Sequence, residues 1–409
     1  MNFRKFLAAT AVAFVMPFVA TAQEAEQAPQ EEGWIFTEET VLPITSMKDQ
    51  NAAGTCWCYS TLSFVEAELL RMGKPEYDFS EMFIVWNTYM DRAKATVRTH
   101  GDISFSQGGS FYDVLYGIKH YGLVPDAELP AGVKHGDELS DFSEFSSVCD
   151  PFVEGIVKNR KLQVSPEGTP LWQEALAGIL DAYIGERPET FVYEGKEYTP
   201  KSFAESTGFN PDDYVNLTSF SHHPFYEDFI IEVQDNWRWS TAYNLPIDEF
   251  MEVMNYAIDN GYPIAWGSDV SERGFLRGDK LGIVVLPDLE AKDNNDAGTD
   301  KSRWVGLSAE ERAKEAYSQP TPQRWVTQEE RQVAYDNYET GDDHGMIIYG
   351  KAKDQLGNNY FIVKNSWGEI GKYDGKFYAS EAFVRYKTMN IVVHKDALPK
   401  NIKKALGIK

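Results

Sequence analysis

Residues 50–60 read QNAAGTCWCYS and hold two of the chain's three cysteines, Cys56 and Cys58; the third is Cys149. A thiol here can be a metal ligand, half of a redox pair, half of a disulfide, or a nucleophile. Metal binding needs further ligands at matching spacing, and none of the seven histidines forms a companion set with the cysteines. Adjacent His222 and His223 point to opposite sides of an extended chain and read as surface or loop residues. A redox pair favours Cys-x-x-Cys. A Cys56–Cys58 bridge fits poorly on a helix, where residues two apart project in different directions. No metal and no cofactor is therefore expected. The nucleophile reading has support from its neighbours. A cysteine at a helix N-terminus meets the positive end of the macrodipole, which favours the thiolate. Gly54 permits a tight turn, and the free N–H groups of the helix start can face a developing oxyanion. Gln50 brings a side-chain amide to the same place, and Trp57 packs the first turn. Cys58 and Cys149 read as small core residues.

The elements that must position Cys56 follow from periodicity. Leu62, Val65 and Leu69 recur at helical spacing in CWCYSTLSFVEAELLRMGK, which Gly73 and Pro75 end. A second helix is expected in SEMFIVWNTYMDRAKAT with Ser80 as N-cap. Gly108 and Gly109 open a third, SFYDVLYGIKHYG. The middle of the chain alternates strand-like runs (FIIEVQ, PIAWGSDV) with the helix PIDEFMEVMNYAIDNG. LPDLEAKDNNDAGTDKSR is polar and irregular, and its acids fail the EF-hand template. From Asp293, position five is Ala297 and position twelve is Trp304. TQEE (327–330) is a capping box. GMIIYGKAK and NYFIVKNSWG read as two strands joined by DQLGN, with KFYASEAF and TMNIVVHK as a further turn-strand pair. Helices first and a β-meander last make an α+β signature.

Composition bounds the rest. With 409 residues, 43% hydrophobic, the chain can bury a large core in one to three domains. The start, MNFRKFLAATAVAFVMPFVATAQEAEQ, has Arg4 and Lys5 before a short apolar stretch and a small-x-small site at Ala20–Ala22. It reads as a signal peptide, residues 1–22, followed by a flexible leader over 23–33. Export to a periplasm or the extracellular space is expected. No later apolar run is long enough to span a membrane. The formal charge is −24, or −26 without Arg4 and Lys5, which argues against nucleic acid as partner. Three cysteines allow at most one disulfide, so a disulfide scaffold is excluded.

QNAAGTCWCYS is similar to the active-site segment of papain-like cysteine peptidases, in which Gln, Cys and Trp keep this spacing. DDHGMIIYG resembles the family's histidine segment, with His344. YFIVKNSWGEIG resembles its asparagine segment, with Asn365 before Ser-Trp-Gly. SQGGSFYDVLYGIKHYGLVPDAELP resembles its substrate-groove segment. Four segments stand in the family's order. His344 and Asn365 lie 288 and 309 residues after Cys56, against roughly 130–150 in the usual pattern. An insertion therefore separates Cys from His, an architecture that resembles the bleomycin hydrolase and aminopeptidase C branch. YDFSEMFIVWNTYMDRAKA and NLPIDEFMEVMNYAIDNGYPIAWGSDV are further likenesses. Ala53 stands where extracellular papain-like enzymes carry a cysteine, and this branch also lacks that disulfide.

The resemblance implies a papain-like fold of a helical left domain and a β-meander or barrel right domain. The helical domain takes residues 34–150, the insertion with part of the β domain 151–330, the rest of the β domain 331–396, and a short tail 397–409. It implies a Cys56–His344 thiolate–imidazolium pair, Asn365 orienting the imidazole, and an oxyanion hole of Gln50 and the Cys56 N–H. Gly108 and Gly109 would pair with extended substrate, and Trp367, at the substrate-binding side, would shield the Asn365–His344 bond. Substrates would be peptides, cleaved from the N-terminus, and the assembly a homo-oligomer, a hexamer in that branch. In the branch a C-terminal arm lies in the groove and its carboxylate receives the substrate's amine. Here the sequence stops at HKDALPKNIKKALGIK, so endopeptidase action is the alternative, and a peptide-binding homologue without catalysis a third reading.

Overall fold

The computed structural model describes residues 33–159, 161–289 and 308–409. The signal, most of the leader and the Asp293–Trp304 segment lie outside them. Helix α1 (Cys56–Arg71) is buried along nearly its whole length, from Trp57 to Leu69. A helix apolar on one face alone could not be so enclosed, and α1 solves this by satisfying its own hydroxyls. Ser60 Oγ donates to the Cys56 carbonyl at 2.7 Å and Thr61 Oγ1 to that of Trp57 at 2.5 Å. Helix α2 (Glu81–Arg98) starts where Ser80 accepts the Phe83 N–H, the expected N-cap. Helix α3 (Phe111–His120) begins with a Ser110–Asp113 capping box. Helices α4 (Ser143–Val157), α5 (Leu171–Tyr183) and α6 (Pro200–Thr207) complete the helical half.

The β half is a ten-stranded sheet. Its strands are β1 (Phe36–Val41), β4 (Tyr214–Thr218), β5 (Asp228–Ile230), β6 (Thr241–Asn244), β7 (Ile264–Ser268), β8 (Ile283–Val284), β9 (His344–Asp354), β10 (Asn359–Lys364), β11 (Lys376–Ser380) and β12 (Thr388–His394). A separate hairpin pairs β2 (Phe191–Tyr193) with β3 (Lys196–Tyr198). The order is β5-β6-β4-β12-β7-β9-β10-β11-β8, with β1 also on β9. The meander is β9-β10-β11, antiparallel throughout. Helices α7 (Ile247–Asp259), α8 (Ala309–Ala316), α9 (Gln328–Asp336), α10 (Glu381–Lys387) and α11 (Lys400–Ala405) surround it. The structure is thus mixed α+β. No helix among the described residues is long and apolar enough to cross a membrane.

Two expectations need correction. TMNIVVHK supplies the expected strand, β12, which runs between β4 and β7, but KFYASEAF is no turn: it is strand β11 continuing into α10, capped by Ser380, with Phe383 and Val384 buried. Helices and strands are also less segregated along the chain, because β1 and five strands from the middle join the late strands in one sheet. Capping and periodicity act locally, whereas strand neighbours are chosen by which faces can be buried together.

A charged knot fixes the segment that leads into the site. Lys48 Nζ lies 2.6 Å from Asp78, 2.8 Å from Glu81 and 3.9 Å from the almost wholly buried Glu66. Burial alone would lower the Lys48 pKa, but Glu81, Glu66 and Asp78 outweigh it and hold the ammonium charged. Lys48→Ala leaves buried Glu66 and Glu81 with only the more distant Lys364 to balance them, so it is expected to cost about 3–5 kcal/mol. An unchanged urea midpoint would refute this role.

Candidate active site

The site is assembled by a zipper between two distant segments. Gly368 N–H donates to the Lys48 carbonyl, Asp49 bridges Trp367, and Gln50 N–H donates to the Ser366 carbonyl at 2.9 Å. This sets Gln50 beside the Asn365–Ser366 turn. The Gln50 amide is then oriented from both ends. Its Oε1 accepts the Ser366 hydroxyl at 2.6 Å, and its Nε2 donates to the Ala53 carbonyl at 2.8 Å. An amide nitrogen has two hydrogens, so one remains for the cleft that Gln50 lines.

Cys56 is the first residue of α1, and no acidic residue stands in the first turn to offset the positive helix end. Its thiol receives the N–H groups of Gly345 and Trp57. Strand β9 can approach α1 this closely because position 345 is glycine. A Cβ there would lie 2.6 Å from Ser60 Oγ and 3.1 Å from the Phe111 ring. Cys56, Gln50, His344 and the Gly108–Gly109 rim line one cleft. Gln107 shapes that rim: its side chain accepts the Gly54 N–H at 2.7 Å and its carbonyl the Trp57 indole N–H at 2.9 Å.

His344 opens β9 and is buried. Its Nε2 lies 2.7 Å from Asn365 Oδ1, which also accepts the Ser366 N–H at 2.8 Å. The second bond identifies that amide atom as the oxygen, so Nε2 carries the hydrogen and Nδ1 is left to exchange a proton. Holding the oxygen on the imidazole leaves buried Asn365 Nδ2 without a partner among the described residues. Trp367 is not part of the cleft lining; its indole covers His344, ring centroids 5.1 Å apart, braced by Phe275 and Phe377. Asp343 is engaged elsewhere, accepting the N–H groups of Val270 and Ser271.

The electrostatics sharpen the expectation drawn from the helix end. Burial pushes the Cys56 thiol up to about 12, with the Asp342 and Asp235 carboxylates adding to it. Burial likewise lowers the His344 pKa, against the pull of Asn365 and Asp343. Taken singly, each charge is disfavoured. Moving one proton from sulfur to imidazole creates both charges together, where a low dielectric strengthens their attraction.

Cys58 and Cys149 are fully buried and all three cysteines are free. Cys58 donates to the Glu81 carbonyl on the packing side of α1. His222 and His223 correct an expectation. Residues 221–223 turn instead of extending, so both imidazoles face Glu232, at 3.1 and 2.9 Å. Sequence reasoning passed over Gly345, Gln107, Asp235 and Asp342, all at or beside the cleft. The adjacency of Gly345 to a histidine was the one available signal; the others sit in ordinary polar runs.

Residues 326–408, which carry both His344 and Asn365, match the model of the Peptidase C1-like family. The match covers about a fifth of the chain, its C-terminal part. The model covers the β9–β12 end of the sheet and α9 to α11; the α1 segment with Cys56 stands outside the match. Similarity to curated relatives spans more. Aminopeptidase G of Lactobacillus delbrueckii subsp. lactis is 20% identical over 90% of this chain and 85% of its own. Aminopeptidase C of Lactococcus lactis subsp. cremoris is 21% identical over 87% and 81%. Among solved structures, PepW from Lactobacillus rhamnosis HN001 superposes with a TM-score of 0.66 at 18% identity, covering 91% of this chain and 84% of that one. At that identity the likeness is one of fold.

Proposed function

We propose that this protein is an exported cysteine aminopeptidase with a papain-like division into a helical half and a β half. What carries the reading is the His344 Nε2–Asn365 Oδ1 bond at 2.7 Å beside a cysteine at a helix N-terminus, in one cleft with Gln50. The pairs named aminopeptidase G and aminopeptidase C support the N-terminal direction of cleavage. Export rests on residues 1–22, and homo-oligomeric assembly on the resemblance alone.

In this mechanism His344 Nδ1 takes the Cys56 proton and the thiolate sulfur attacks the scissile carbonyl carbon. The tetrahedral oxyanion faces the Cys56 N–H and the free Gln50 Nε2 hydrogen. His344 returns the proton to the leaving nitrogen, the C–N bond breaks, and a thioester remains. Water, deprotonated by His344, then releases the acid and restores the thiol. Asn365 keeps the imidazole in its working tautomer throughout.

The test is labelling with an epoxysuccinyl peptide, which alkylates activated thiolates. One adduct is expected, on Cys56, with buried Cys58 and Cys149 unmodified by peptide mass mapping. A natively folded protein that takes up no label at neutral pH would sink the reading.

A further inference from the structure

The helical half and the β half meet at a corner of the cleft that carries more negative charge than its neighbours balance. Segment 231–240, between β5 and β6, folds over the Gly108–Gly109 rim. It is tied down at three points. Gln234 Nε2 donates to Ser104 Oγ at 2.8 Å, buried Arg92 reaches Asp235 Oδ1 at 3.3 Å, and Arg238 pairs with Asp113 at 2.6 Å and Asp91 at 2.9 Å. The segment is therefore a wall with fixed attachments. Asp235 lies against the rim itself: a Cβ on Gly108 would sit 2.1 Å from its carboxylate. The same cleft holds Asp342, two residues ahead of His344, half-buried and close enough to feel the Asp235 charge.

The two carboxylates are differently engaged. Asp235 has Arg92, whose guanidinium is shared with the Gly108 carbonyl. Asp342 accepts no hydrogen bond and meets no cation among the described residues. Burial pushes its carboxyl up to about 7, with Asp235 and Asp343 adding to the rise. A carboxylate so placed gains from a cation arriving between it and Asp235.

The direction of the cleft says which cation. His344 must reach the leaving nitrogen, so the leaving peptide lies on the imidazole side. The acyl residue extends the other way, toward Gly108–Gly109, the rim against which Asp235 lies. We infer that Asp235 and Asp342 together receive the free α-ammonium of the substrate's first residue, and that segment 231–240 excludes a longer acyl chain. This rests on the peptidase reading above and supplies, from within the fold, the anchor that makes a cysteine peptidase act at N-termini.

The experiment compares aminoacyl-coumarin amides with their N-acetylated forms, using the full chain. Wild type is expected to cleave the free amine at least 100-fold better in kcat/KM. Asp342→Asn, which breaks no internal bond, should raise KM for the free amine about tenfold with a smaller change in kcat. It should shrink the free-to-acetylated ratio by about tenfold, with Cys56 still labelled by the epoxide. Asp235→Asn should move the ratio in the same direction. A ratio that neither variant changes, or a wild type indifferent to acetylation, overturns the inference while leaving the peptidase reading intact. No cleavage of either substrate together with an unlabelled Cys56 overturns the peptidase reading instead.

Discussion

Cys56→Ala and His344→Ala each lower kcat/KM on a peptide amide by about ten-thousand-fold or more, and the double variant is no worse than either alone. Members of a nucleophile–base unit act together, so removing one removes the function of both. The structure gives this a specific basis here. Burial holds the thiol up to about 12 and lowers the imidazole, so neither charged form persists without the other. Steady-state kinetics on the two single variants and the double variant checks the prediction. Additive losses would show that Cys56 and His344 do not share a proton. Cys56→Ala removes one sulfur at the cleft surface, and thermal unfolding of the variant should stay close to wild type.

Gln50→Ala is expected to lower kcat by about 100- to 1000-fold with little change in KM, the signature of a donor used only when the oxyanion forms. The free Nε2 hydrogen is what is lost. A second variant separates that role from packing. Gln50→Glu keeps an oxygen to accept the Ser366 hydroxyl, now bonded at 2.6 Å, but replaces the donor with a negative group beside the developing negative charge. It should be at least as impaired as Gln50→Ala while unfolding at a similar temperature. If Gln50→Glu keeps wild-type kcat, the amide is a structural brace of the 48–50 and 366–368 zipper and no more.

Much of this site was legible before any coordinates. Helix α1 begins at the residue expected, Ser80 and Thr327 cap the helices assigned to them, and β9 and β10 lie where the alternation put them. These features are written in nearest-neighbour chemistry: caps, periodicity and turn residues act within a few positions. The resemblance then drew together Gln50, Cys56, His344 and Asn365 across almost three hundred residues. Where reading failed, the cause was long-range. The run after KFYAS holds a buried helix because Phe383 and Val384 pack under the sheet. His222 and His223 share one carboxylate because the chain turns there, and period-two alternation applies only to an extended backbone.

By itself the sequence singled out Cys56 and its helix, His344, Asn365 and Gln50, since each is a residue type fixed within a short local pattern. Only the tertiary structure decided what surrounds them. It showed that burial sets the thiol and imidazole against separate ionisation, and that a glycine lets β9 touch α1. It also placed Asp235 and Asp342 in the lining of the cleft. A lone aspartate in a polar run has no local signature, because its meaning comes from the rim it is folded against and from the partners it lacks.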